Sequence, residues 1–363
     1  MKMTRMRRIA LVVAGAAAFA AGAARAGQDP EFYVNTYRSI GTLSGTGARG
    51  TAMGGTGAGL ADGVNALAGN PAGLGAFTGY GVDMSLGYGL LDDGRDNVSD
   101  AAFKLGGAMS IERYRPTGGG NQALGALVQT RSYSGAYDAK MKREQTGLTL
   151  GYGLHVLPDL VAGVSSGVYD GDWTAHELDA AGVKTDLIKR SFTGGEFKVG
   201  GIMRVDDGLT VGAVFGYSTG SYREKADYAT LGDKGSLRRW NVRAGAAYRM
   251  CDETLLTADV WYDRMKTRVK GVFDEGNVAW GAGAGVEQRL LDDALALRGG
   301  VYYDRTSYRA SGTRPFDFGS FGKGRFGFTA GAAVRIYSFD LGYSLDVDTG
   351  GNVENHFDIS AEW

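Results

Sequence analysis

Three residues in this 363-residue chain have the types a hydrolase combines: Ser344 as a nucleophile, His356 as a base and Asp358 as its orienting group. Such a trio acts only where the side chains meet, so geometry decides before chemistry does. The chain has 3 His, and the sequence places His155 at a strand end and His176 in a loop, so no imidazole cluster forms. No acidic run has calcium-loop spacing and no Cys pair has zinc spacing. The reading therefore assigns no catalytic residue, no metal and no cofactor. Gly45 to Gly50 fits the G-x-G-x-x-G fingerprint, yet no hydrophobic strand precedes it, as a dinucleotide site requires. Asn97-Val98-Ser99 matches a glycosylation acceptor.

The larger signal is what must position any such groups. Gly supplies 61 residues and Pro only 5, while Tyr alone supplies 19. Abundant glycine without proline excludes collagen, and abundant aromatics exclude a disordered chain. Charged residues make up 22%, and no apolar run near ~20 residues exists beyond the N-terminus, which excludes a bundle of membrane helices. The single thiol, Cys251, allows no internal disulfide.

Residues 1–26 read as a cleaved signal peptide. Lys2, Arg5, Arg7 and Arg8 form the positive start, Ile9 to Ala23 the apolar stretch, and Ala24-Arg25-Ala26 the cleavage site. With these basic residues removed, acidic residues outnumber basic ones, so nucleic acid is not a partner.

From about residue 81 the sequence alternates with a period of two, the signature of strands. Leu209, Val211, Ala213, Phe215 and Tyr217 share one face, with Thr210, Gly212, Val214, Gly216 and Ser218 on the other. Trp240 to Met250, Val278 to Glu287, Phe326 to Ile336 and Leu341 to Val347 read the same way. Tight connections at 115–121, 157–159, 206–208, 251–253, 291–293 and 337–338 take turns with polar stretches near 92–100, 135–143, 170–191, 219–236, 266–276, 305–322 and 347–354. Thirteen connections join fourteen strands. A sheet in hydrocarbon must close on itself to pair every backbone group. The expected fold is all-β: a closed antiparallel transmembrane β-barrel of about 14 strands with a small N-terminal helical hatch or plug.

On this reading Leu, Val, Phe and Tyr face lipid. The lumen collects Lys104, Glu196, Lys198, Arg204, Arg243, Arg249, Asp259, Glu287, Arg298, Asp304, Arg335, Asp340, Asp346 and Asp358, both signs together, as structural ion pairs. Trp240, Tyr248, Tyr262, Trp280, Tyr303 and Tyr343 read as interfacial aromatics. The last strand puts Phe357, Ile359, Ala361 and Trp363 on one face and ends on an aromatic carboxy terminus. That ending resembles the recognition strand engaged by the bacterial barrel-assembly machinery, which the resemblance implies as a partner during biogenesis, with the outer membrane and its lipid as the setting.

Residues 27–80 do not alternate. Asp62 can cap a short helix through Leu67 with Gly69 ending it, and Asn70-Pro71-Ala72-Gly73-Leu74 combines a good N-cap with proline at the first helical position. Three regions follow: 1–26 leader, 27–80 hatch, 81–363 barrel. The run of small residues from Gly47 to Gly75, the Ala61-Asp62 pair and Asn70-Pro71-Ala72-Gly73-Leu74 resemble the N-terminal region of the FadL-type outer-membrane transporters, whose wider relatives include PorV-like barrels. The resemblance implies a fourteen-stranded barrel closed by a hatch, with gating at Asn70, Pro71, Ala72, Gly73 and Leu74. It also implies a hydrophobic, long-chain fatty-acid-like ligand that crosses passively and leaves through a lateral gap near the hatch. Gly125 and Gly135 are candidate kink positions in the third strand. The stretch 170–191, with Trp173, Leu178, Leu187 and Ile188, is the candidate landing loop for such a ligand. Alternatives are a scaffold barrel of a secretion or surface-attachment complex, and a polar diffusion pore.

Overall fold

The structure is a computed structural model that describes residues 47–60, 63–92, 97–111, 121–136, 140–178, 184–225, 234–269, 273–312 and 321–363. The leader, residues 27–46 and the proposed cap Asp62 lie outside the described residues.

Fourteen strands run in chain order: β1 Tyr80–Asp92, β2 Asn97–Ser110, β3 Gln122–Ala136, β4 Lys140–Leu157, β5 Leu160–Leu178, β6 Lys184–Arg204 and β7 Leu209–Lys225, then β8 Lys234–Cys251, β9 Thr254–Val269, β10 Phe273–Leu290, β11 Leu295–Gly312, β12 Phe321–Ile336, β13 Phe339–Asp348 and β14 Val353–Glu362. Each is antiparallel to its neighbours, and β1 pairs with β14 from Gly81↔Glu362 to Leu90↔Val353, closing the barrel. Tyr80 N–H donates to Trp363 O at 2.8 Å and Trp363 N–H donates back at 3.0 Å, extending the seam to the last residue. No edge is left unpaired, which is what a sheet in hydrocarbon requires.

The alternation sets the faces. Phe215, Tyr217, Val260, Trp280, Val301, Phe326, Phe357 and Ile359 point outward and are exposed, whereas Ser218, Asp259, Glu287 and Asp304 point inward and are buried. Trp240 stacks on Tyr262 with centroids 5.0 Å apart, Trp280 lies 5.6 Å from Tyr303, and Tyr303 lies 4.8 Å from Phe326. Because Trp280 is also opposite Tyr262 in the ladder, these five form a continuous outward row across β8 to β12 on the long-connection side. Tyr248 in β8, Phe339 in β13 and Trp363 supply exposed aromatics on the tight-turn side.

The long connections differ from expectation. They are short because the strands run on past the apolar band: β5 has 19 residues and β6 has 21, against the ~9–11 a membrane crossing needs. Pairing through the expected landing loop continues to Leu178↔Lys184. Beyond the apolar band on β5 the outward positions turn acidic, Asp170 and Asp172, while Tyr169 and Trp173 face inward, so the apolar-outside pattern is lost while the backbone ladder persists. The third strand also differs. β3 keeps a continuous register with β2 from Ala123 to Ser134 and with β4 from Gln122 to Ala136, so no bulge interrupts the ladder at Gly125 or Gly135. Of the residues assigned to the lumen, Arg204 and Arg249 are exposed at its turn-side rim, and Arg335 and Asp340 line the lumen's turn-side end. The Arg204–Asp159 and Arg335–Asp340 pairs there are largely open to water.

Candidate functional site: the lumen segment and the wall that holds it

Residues 47–79 fill the barrel interior with one helix, α1 Ala48–Ala52, and two 3-10 turns, Gly63–Leu67 and Pro71–Ala76. The single helix expected through Leu67 is thus a 3-10 turn, and α1 has no counterpart in the sequence reading. Small residues dictate this shape. At Gly54 and Gly55 the backbone takes φ of 74° and 75°, the left-handed conformation that closes α1 and that side chains disfavour. A Cβ on Gly163 would overlap the carbonyl of Pro71, and one on Gly212 the carbonyl of Ala58. Wall glycine on the inward face is therefore space reserved for the segment. Other wall glycines carry an aromatic ring from the neighbouring strand: Phe192 covers Gly171, and Trp261 covers Gly281. Tyr302 covers Gly327 in the same way, so glycine and aromatic residues are used together across the ladder.

The segment has two differently held halves. Polar groups of the wall clamp residues 48–59. Glu287, 1% exposed, receives Arg49 through Nε at 2.8 Å and Nη2 at 3.0 Å, with Arg298 at 2.8 Å and Arg289 at 3.1 Å. Thr329 accepts from Gly54 N–H and donates to Ala52 O, both at 2.9 Å. One oxygen of Asp259 takes the N–H groups of Gly57 and Ala58, both at 2.9 Å. Arg243 donates to Gly55 O at 2.7 Å and lies over Trp261. Thr210 donates to Gly59 O at 2.8 Å. Apart from the Arg49–Glu287 pair, these clamps replace water that buried backbone groups have lost.

Residues 64–77 are held largely by apolar contact. Val64, Leu67, Leu74 and Phe77 pack with Ala108, Ala123 and Leu127 of β2 and β3, forming a dry seam between segment and wall. Ala72 packs on Val161 and Ile202. Between the halves sits Asn70. Its Oδ1 accepts from Ala72 N–H at 3.2 Å, capping the turn that Pro71 begins, while its Nδ2 donates to Ala58 O at 2.7 Å and Gly201 O at 3.2 Å. Lys198 donates to Ala68 O at 2.7 Å.

Two polar cavities flank the segment. One of about 310 Å³, toward the long connections, is lined by groups including Asp100, Lys104, Arg131, Arg325, Asp348 and Glu354. The other, of about 270 Å³ on the turn side, is lined by Arg49, Arg289, Arg298, Asp83, Asp358 and Glu362. Arg325 bridges Asp304 at 3.2 Å and Asp348 at 2.7 Å, so both signs are paired within the first cavity.

Ser344 stands opposite His356 in the β13–β14 ladder, but no hydrogen bond links it to His356 and Asp358 is engaged elsewhere, so the hydrolase-like trio is not wired together. Asp358 accepts from Ala48 N–H and from Ser85 Oγ, clamping α1, and His356 Nε2 lies 3.5 Å from Glu354. Trp173 belongs to no exposed loop: it is buried on the inner face of β5, 2% exposed. The side chains of Leu178, Leu187 and Ile188 lie outside the described residues, and their backbones are strand. Near Trp173 in the sequence, Tyr169 and Phe192 are also buried and inward-facing, with centroids 6.3 Å apart. Phe192 was not singled out by sequence, although its parity with Glu196 and Lys198 marks the inner face.

No protein-family model matches the sequence, and no curated protein does. Solved structures do. The Ralstonia pickettii toluene transporter TbuX is 16% identical with a TM-score of 0.58 over 88% of this chain and 99% of its own. The Pseudomonas putida toluene transporter TodX is 14% identical with a TM-score of 0.54, covering 88% of this chain and 98% of its own. A Pseudomonas aeruginosa FadL homologue is 14% identical with a TM-score of 0.61, covering 89% and 99%. The closed barrel, the fourteen strands and near-complete coverage of both chains give one conclusion: this chain has the fold of the FadL-type outer-membrane transporters.

Proposed function

We propose that the chain is an outer-membrane channel for passive uptake of hydrophobic small molecules, with residues 63–77 as the moving gate. The observation that carries this is the division of the lumen segment. Residues 48–59 are fixed by charged and hydroxyl groups of the wall, whereas 64–77 rest on an apolar seam against β2 and β3. Apolar contact is non-directional and forgiving of sliding, so this half can shift once the few wall hydrogen bonds of Asn65, Ala68 and Asn70 are released, and a shift uncovers an apolar lining. A solute that buries about 150 Å² of apolar surface there gains ~4 kcal/mol, which corresponds to near-millimolar capture and rapid release. That weak regime suits transit. The shared fold with two proteins named as toluene transporters supports the class of solute.

The test is uptake of labelled toluene and of a labelled long-chain fatty acid by cells lacking their own outer-membrane transporters. Wild type and Pro71→Ala are compared at matched surface levels, since the alanine loses the preset φ that starts the gate's second turn. Uptake above the empty control, altered in the variant, supports the proposal. Absence of uptake of either solute by assembled protein refutes it for those solutes.

One observation favours a second reading, a polar diffusion pore: both cavities are lined by charged groups. Steady single-channel conductance in planar bilayers, without any hydrophobic solute, would select it.

A further inference from the structure

The outward face of the barrel carries a cluster of cations that neither the lumen nor uptake uses. Arg238 of β8, Arg264, Lys266 and Arg268 of β9, and Arg305 and Arg309 of β11 are all exposed and share the outward parity of the aromatic row. The register groups them. Arg238 is directly opposite Lys266, Lys266 is opposite Gly276, and Gly276 is opposite Arg309, which makes one line across four strands. Directly opposed side chains stand ~5 Å apart and successive outward residues on one strand ~7 Å, so the six charges share a patch about 15 Å across. Gly276 has no side chain to interrupt it.

The patch begins where the aromatic row ends. Trp240 is opposite Arg264, and Trp280 is opposite Arg305. Aromatics of this kind mark the boundary between hydrocarbon and headgroups, so the cations stand at headgroup height on the long-connection side. None of Arg238, Arg264, Lys266, Arg305 and Arg309 pairs with a carboxylate among the described residues. The outward acid beside them is Asp274, opposite Arg268 at the outer margin. The arrangement is specific to this side of the barrel. On β4 and β5 the corresponding outward positions are Glu144, Asp170 and Asp172, with Lys142 paired to Glu144 at 2.7 Å.

A row of unpaired guanidinium and ammonium groups costs self-repulsion unless anions sit against it, and guanidinium forks fit phosphate oxygens in pairs. We propose that the outer face of β8–β11, just beyond the aromatic row, binds the phosphorylated headgroup of an anionic lipid of the outer leaflet. The occupant is a lipid rather than a free ion because its acyl chains lie along the apolar band directly below, joining charge and hydrophobic contact in one site. The inference rests on the outer-membrane reading but not on the identity of any transported solute.

The test uses the purified full chain in phosphatidylcholine nanodiscs doped with lipid A, a doubly phosphorylated glycolipid, with lipid retained per protein counted by native mass spectrometry. Wild type should retain lipid A in preference to phosphatidylcholine. Arg238→Gln with Lys266→Gln should weaken retention by roughly fivefold per charge removed, about 25-fold in all. Lys142→Gln on β4, outside the patch, should remain within about twofold of wild type. Heat-modifiable gel migration verifies the folded barrel, and Arg305→Gln with Arg309→Gln provides a second pair should the first fail to assemble. Equal retention by wild type and folded double variant, equal retention of the two lipids, or displacement of lipid A by millimolar inorganic phosphate overturns the proposal. Because retention is read without transport, its failure and a failure of the uptake proposal are separate results.

Discussion

Glu287→Gln isolates the clamp on α1. The native carboxylate is 1% exposed and accepts four hydrogen bonds from three arginines, two of them from Arg49 of the lumen segment. Charge-assisted hydrogen bonds contribute about 1.5–3 kcal/mol each, and breaking a buried ion pair costs about 3–5 kcal/mol. Arg49 is 24% exposed and Arg289 is 32%, both reaching the turn-side cavity, so water screens part of that loss. The glutamine keeps one acceptor but leaves three cations facing each other. The expected weakening of α1 docking is about 2 kcal/mol, close to a 30-fold larger undocked population. Thiol labelling reads this population. The native Cys251 is exposed, so it is first changed to serine, and Ala52→Cys reports on α1 because Ala52 is fully buried. Maleimide should label Ala52→Cys about 30-fold faster in Glu287→Gln, with Arg335→Gln at the water-exposed rim pair unchanged. A rate within about twofold of the parent, or an equal rise in Arg335→Gln, would refute the assignment of Glu287 as the clamp.

Two further outcomes follow from the same packing. Gly212→Ala places a methyl group against the carbonyl of Ala58, an overlap worth about 1–3 kcal/mol, so limited proteolysis should cut the lumen segment faster while heat-modifiable migration still reports a closed barrel. At Asn70 the order of harm should be Asp worse than Ala. The carboxylate retains the cap to Ala72 N–H but sets a charge against the carbonyls of Ala58 and Gly201, whereas alanine loses about 1 kcal/mol of capping and one buried donor; urea-unfolding midpoints of the three proteins rank them.

The sequence determined the class of fold and its connectivity, because a wall with lipid outside and polar groups inside must alternate with period two, and tight turns must punctuate it. The tight connections at 157–159, 206–208, 251–253, 291–293 and 337–338 fall where the sequence puts them, whereas 115–121 lies largely outside the described residues. The turn opened by Asn70-Pro71 was also legible, since capping is a local interaction between neighbours in the chain. Five features were decided by tertiary structure alone. Strands outrun the hydrocarbon because ladder pairing persists after hydrophobic contrast is lost, which turned the expected loop at 170–191 into β5 and β6 and put Trp173 inside. Gly125 is a site of close packing against Leu67 and Leu74. Asp358, with an apparent chemical role beside His356, proved to hold α1. The meeting of Arg49 with Glu287, 238 residues apart, and the alignment of Arg238, Lys266 and Arg309 depend on register across closed strands. A sequence period fixes which face a side chain takes, but only the register fixes which side chain stands opposite it.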